Sequence, residues 1–167
     1  MNLNKEYKFI NFDTNKGNKL AYTISLEVAK QPGKKYLPLF ISGNEKERTH
    51  LMSSIANYVI ELFNYKVLYI NASEINKLTG NIDILLIDEL EHLSGAEESK
   101  LIEIIKTFQS NKKQIVLGSN KKLDELNISD NLKEVINWGM SVNIEQNNNK
   151  IQKKDLFDYN WLEDNDE

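Results

Sequence analysis

The sequence contains no cysteine. Disulfides and thiolate metal sites are therefore excluded, and nothing points to an oxidising compartment. Long apolar runs are also missing. Stretches such as Ile84–Ile87 fall far short of the roughly 20 residues a membrane-spanning helix needs. The N-terminal MNLNKEYKF is polar, without the apolar core of a signal peptide, so a cytoplasmic protein is expected. Arginine is almost absent: of 21 basic residues, Arg48 is the single arginine. Arginine supplies the rigid bidentate fork used on phosphates, guanine edges and transferring phosphoryl groups. This chain has at most one such device. A lysine- and asparagine-rich genomic bias would give the same composition, and the chemical consequence is unchanged. The net charge of −4 argues against nucleic acid as the main partner, because phosphate neutralisation needs a basic surface.

What remains is ordinary for a soluble domain: 167 residues, 40% hydrophobic and 28% charged, enough for one core without staples. Apolar positions Leu20, Ala21, Ile24, Leu26, Val28 and Ala29 follow helical spacing over 17–31. Asn18 is the candidate N-cap, and Pro32-Gly33 is the stop. Leu37–Ser42 reads as a strand, Gly43–Glu47 as a polar loop, and Thr49–Phe63 as a helix with Leu51, Ile55, Tyr58, Val59 and Leu62 on one face. Strands follow at Lys66–Asn71, Ile82–Asp88, Gln114–Ser119 and Met140–Glu145, with helices at Ala96–Phe108 and Ser129–Asn137 between them. IDILLID is apolar on both faces, as a central parallel strand must be. Alternating strands and helices predict an α/β fold with a five-stranded parallel sheet. The expected domain covers residues 1–146. Residues 147–167 form a tail that holds, from Asp155 onward, six acids, no base and the aromatics Phe157, Tyr159 and Trp161.

A strand, a glycine-opened turn and a helix form the setting of a phosphate-binding P-loop, G-x-x-x-x-G-K-[ST]. Here the chain reads Gly43-Asn-Glu-Lys-Glu-Arg48-Thr49. One residue and the second glycine are missing, and arginine replaces lysine. Glu45 and Glu47 place carboxylates where a triphosphate would sit, each like-charge contact costing about 1–4 kcal/mol at 4 Å. An ordinary polar strand-to-helix turn is the simpler reading of this segment alone. Asp88 and Glu89 end an apolar strand as the Mg²⁺-binding and water-polarising acids of P-loop enzymes do. Asn120 follows another strand, where a polar side chain senses the γ-phosphate. His50 and His92 stand apart without cysteine or carboxylate clustering, so no metal site is expected.

Several segments together resemble the AAA+ domain of the bacterial replication initiator DnaA. They are Tyr7–Phe12 (YKFINF), Asn18–Tyr22 (NKLAY), Pro32–Ile41 (PGKKYLPLFI), Thr49–Met52 (THLM), Val67–Tyr69 (VLY), Leu85–Gly95 (LLIDELEHLSG), Lys113–Ser119 (KQIVLGS) and Asn137–Gly139 (NWG). The resemblance spans about residues 5–146 and implies a three-layer P-loop NTPase core. It places Gly43, Arg48, Thr49, Asp88, Glu89 and Asn120 at the nucleotide site, and Asn11 and Phe12 beside the adenine pocket.

The departures from the family pattern are in chemistry. The segment that carries inter-subunit arginines in the family reads Asn131-Leu-Lys-Glu-Val-Ile136, with Asn131 and Val135 at those places. The family's single-strand-contacting insertion is reduced to Glu74–Gly80, and the helical lid and duplex-reading domain are expected to be absent. These departures predict a catalytically inactive, DnaA-like protein-binding regulator of replication initiation that uses neither ATP nor Mg²⁺. Its expected partner is DnaA or another replisome component. Asp155, Leu156, Phe157 and Trp161 are candidate docking residues. Lys154-Asp-Leu-Phe157 with Gln152 loosely resembles a sliding-clamp peptide, although covering the sheet edge or a helix is the plainer role for Leu156, Phe157 and Trp161. Two alternatives stay open. One is an ATPase with a variant loop. The other is a DNA-binding accessory using Lys34-Lys35, Lys112-Lys113, Lys121-Lys122 and Lys153-Lys154.

Overall fold

The computed structural model describes residues 3–146. Five strands, β1 (Leu39–Ser42), β2 (Val67–Asn71), β3 (Ile84–Asp88), β4 (Gln114–Ser119) and β5 (Met140–Asn143), form one sheet in the order β2-β3-β4-β1-β5. Every pairing is parallel. This is the α/β architecture that the alternation of elements predicts.

Alternation along the strands divides the core into two layers. Leu39 and Ile41, Tyr69, Ile84 and Leu86, Val116 and Val142 face one side, where α1 (Lys19–Lys30) and α2 (Glu45–Phe63) pack. Phe40, Ile70, Leu85, Ile87, Ile115 and Leu117 face the other, under α3 (Gly95–Ser110) and α4 (Asp130–Ile136). All five residues of β3 are buried, which is why that segment must be apolar on both faces. Helix ends are fixed locally. Ser94 N donates to Glu97 Oε1 at 3.0 Å, and Ser129 Oγ accepts from Leu132 N at 3.2 Å. Asn64 ends α2 in the left-handed region, φ 56°, a conformation asparagine tolerates.

The differences from the sequence reading are informative. β4 has the expected bounds, whereas β1, β2 and β3 start one or two residues late and β5 stops at Asn143. Helix α2 begins at Glu45, not Thr49. Leu20 and Leu62 satisfy helical spacing yet are exposed, at 64% and 61%; Leu20 is the second residue of α1 and Leu62 the last but one of α2. Residues 155–157 and Trp161 lie outside the described residues. No helix among those described is long and apolar enough to cross a membrane.

Candidate functional site at the end of the central strands

Parallel strands β1 and β3 flank β4, so the residues that follow them share one rim of the sheet. Only Gly43 and Asn44 separate β1 from α2. Gly43 has φ +142°, and a Cβ there would meet the Ile144 Cβ at 2.6 Å, so glycine is required by both conformation and space. Asn44 then caps the helix: its Oδ1 accepts from Glu47 N at 2.9 Å, and its Nδ2 donates to Glu47 Oε1 at 2.6 Å. The second Glu47 oxygen accepts from the amide of fully buried Asn18. The expected polar loop over 43–47 is thus corrected. Residues 45–47 are the first turn of a helix, with Glu45 and Glu47 at its positive end.

This early start sets the direction of Arg48, which is 1% exposed. Its Nε donates to Asp88 Oδ1 at 2.7 Å and its Nη1 to the Gly43 carbonyl at 2.6 Å. Asp88, 4% exposed, also accepts the Glu89 amide at 2.8 Å. Gly118 makes room for it: a Cβ at 118 would lie 2.3 Å from Asp88 Oδ1 and 2.7 Å from the Met52 sulfur. Tyr69, 1% exposed, completes the cluster beside Asp88, Arg48 and Thr49. Its pKa is raised far above the phenol's ordinary value, first by burial and then by the Asp88 carboxylate. Arg48 and Asp88 thus satisfy each other behind the Gly43 turn.

The other expected site residues stand outside this cluster. Glu89 sits in the left-handed region, φ 60°, with its Oε1 3.0 Å from His92 Nδ1. The exposed Asn120 donates its backbone N–H to Glu91 at 3.1 Å and borders, with Gly43 and Asn44, an open cleft of about 390 Å³. Glu89, Glu91 and His92 bring ligand atoms within 4.8 Å of one another. His92 therefore does have carboxylates around it, contrary to the sequence expectation, because the short turn after β3 folds 89–92 back on itself. On the α2 side, Phe12 is buried, stacked on Tyr22 and edge-on to His50. Asn11 is exposed, and its Oδ1 is 2.9 Å from His50 Nε2. Tyr7 stacks on His50 at 4.4 Å, and Tyr7, Asn11, Phe12 and His50 line a cleft of about 630 Å³.

A model of the bacterial DnaA ATPase domain matches residues 3–79 and 71–143. The chain belongs to the bacterial DnaA family. It is 34% identical to the chromosomal replication initiator protein DnaA of Lachnoclostridium phytofermentans over 86% of its own length and 37% of that protein. The chain thus spans little more than a third of this relative. Domain III of Thermotoga maritima DnaA superposes with a TM-score of 0.81 at 32% identity, covering 91% of this chain and 72% of that one. AMPPCP-bound DnaA from Aquifex aeolicus gives 0.79 at 31%, covering 95% and 57%. DnaI, at 18% identity and a TM-score of 0.71, shares the fold. The DnaA family thus accounts for the three-layer core. Sequence reasoning missed Tyr69, Gly118 and the Asn18–Glu47 contact. Only the Asn44-x-x-Glu47 spacing, a helix-capping pattern, signalled the true start of α2.

Proposed function

We propose that this chain is a DnaA-type module that neither binds nor hydrolyses ATP and that works by binding a protein of replication initiation, DnaA foremost. The buried Arg48–Asp88 pair carries this reading. A nucleotide-binding loop keeps its cation and helix amides open to phosphate, and its strand-end acid open to Mg²⁺. Here Arg48 is turned into the core, Asp88 is held by Arg48 and Glu89 N, and Asn44 occupies a first-turn amide. The residues present do not fit Mg²⁺-ATP as they stand. Asn131 and Val135, at the family's inter-subunit arginine places, offer no cation to a neighbour's nucleotide. Such a module pairing with a true initiator would end an ATP-linked assembly. The sliding clamp is the second candidate partner, through residues 152–157.

A melt with and without Mg²⁺-ATP tests the first half. Ligand at about 100-fold over Kd adds roughly 2.7 kcal/mol, so the expected outcome is no displacement of the transition, and a clear rise would defeat the reading. The second half needs size-exclusion with the host's DnaA, where failure to co-elute removes DnaA as partner. One observation favours an ATP-binding module instead: the cleft lined by Tyr7, Asn11, Phe12 and His50 remains open. The same melt separates the two.

A further inference from the structure

The end of the sheet opposite the Arg48 cluster, where the connections lead into the strands, has a charge and surface of its own. Those connections, residues 31–38, 64–66, 78–83, 111–113 and 137–139, hold five lysines and one carboxylate, Asp83. Contacts between them make one surface. A Cβ on Gly33 would lie 2.2 Å from the Lys112 carbonyl, and Met140 N donates to the Pro38 carbonyl at 3.0 Å. Lys113 Nζ reaches Asn81 Oδ1 at 3.0 Å. Lys34, Lys66 and Lys112 are exposed and form no ion pair among the described residues. Aromatic rings flank the lysines: Tyr65 is 39% and Trp138 45% exposed. Both keep more than a third of their surface in water, although Tyr65 also packs against Phe63 at 5.3 Å.

We propose that the chain's own acidic C-terminal segment, residues 155–167, seats on this lysine-and-aromatic edge. The complementarity is twofold. The segment carries six carboxylates without a base, and Phe157, Tyr159 and Trp161 supply apolar surface for the exposed rings. The reach is sufficient. The last described residue, Gln146, follows β5 at the opposite rim. Residues 147–154 extend to about 26 Å at 3.3 Å per residue, against roughly 17 Å for a five-residue strand. The lysine edge itself crosses five strands, about 19 Å at 4.8 Å spacing, which thirteen residues span. Lysine suits this contact because it acts as a point charge and needs no fixed geometry. The segment then screens a basic surface from other polyanions. This inference stands apart from the nucleotide question.

Carbodiimide coupling on the full chain tests it, since the reagent joins carboxylates to lysine amines only in contact. Peptide mapping should find residues 155–167 joined chiefly to Lys34, Lys66 and Lys112, less to Lys35, which pairs with Glu27 at 2.8 Å, and rarely to Lys46, Lys121 or Lys122 at the other rim. The yield should fall about tenfold in roughly 1 M salt, where screening acts within about 3 Å. The double variant Lys34→Glu/Lys112→Glu, both at exposed positions, should lower it similarly while melting like the parent. Even coupling across all lysines, or yield unchanged in the variant, overturns the proposal. So do products that mix isotopes in a blend of labelled and unlabelled protein. Capture of single-stranded DNA at low salt, lost in the double variant and unaccompanied by tail coupling, also overturns it and assigns the edge to nucleic acid.

Discussion

Replacing Arg48 by methionine isolates the pair on which the proposed function rests. Methionine keeps most of the volume and removes the charge, leaving the Asp88 carboxylate with the Glu89 amide as its hydrogen-bond donor. The Arg48 and Asp88 side chains are only 2% and 5% exposed, so water cannot replace the guanidinium. Breaking one side of a buried pair costs about 3–5 kcal/mol, and the Gly43 carbonyl also loses its donor. At about 2–4 °C per kcal/mol for a chain of this size, the melting point should fall by roughly 6–20 °C. The double variant Arg48→Met/Asp88→Leu removes both charges and should recover most of that loss, since apolar replacement of an entire buried pair is about neutral. Urea unfolding followed by circular dichroism, read as a double-mutant cycle, gives the coupling directly. Additive effects, or a single variant within about 0.5 kcal/mol of the parent, would refute the buried-pair geometry.

The remaining outcomes use the same measurements. Arg48→Lys should not restore a Mg²⁺-ATP shift in the melt, because Asn44 and Glu47 still close the first turn of α2; a shift would place the whole obstruction in the guanidinium. Gly118→Ala drives a methyl to 2.3 Å from Asp88 Oδ1 and should cost about 1–3 kcal/mol in urea unfolding, as overpacking does. Asn44→Ala removes the cap and should cost about 0.5–2 kcal/mol; no loss would mean that Glu47 and Asn18 hold the helix start alone. Tyr69, with its folded pKa raised above the ordinary 10.0, binds its proton more tightly folded than unfolded. Its contribution is therefore full below about pH 10 and is lost as pH rises further, by about 1.4 kcal/mol per unit. The stability difference between parent and Tyr69→Phe should narrow above pH 10, and a difference flat with pH would contradict the buried hydroxyl.

The sequence made the sheet legible because β3 and β4 are covered on both faces, so Ile84–Ile87 and Ile115–Leu117 are apolar without alternation. The bounds of β4 follow directly from QIVLGS between polar neighbours. It was less able to show where α2 begins. Comparison with the P-loop pattern drew attention to Thr49, whereas the local chemistry of Asn44 and Glu47 already specified a start four residues earlier. Exposed Leu62 and Leu20, next to the ends of their helices, mark the opposite limit: periodicity names a face and says nothing of how far along the helix that face is covered. Tyr69 and Gly118 join the site through strand register, with Tyr69 opposite Leu86 and Gly118 opposite Ile41. No local spacing encodes that.

Under the proposed function, the same geometry lets a DnaA-type fold be kept while its rim changes use. A phosphate-binding rim carries unsatisfied donors and an acid that only a ligand completes, and burying such groups unpaired costs about 1–3 kcal/mol each. Here Arg48 supplies what the ligand would supply. Its charge answers Asp88, its second nitrogen answers Gly43, and the freed helix amide is answered by Asn44. A nucleotide would have to break these bonds before making its own. Under the proposed reading, the conformation of the rim is therefore independent of nucleotide, and any partner that binds there meets one fixed surface. That independence is measurable. Hydrogen exchange of the amides of residues 43–49 and 88–90 should be unchanged by Mg²⁺-ATP, and slowing confined to those amides would show that the rim still waits for a ligand.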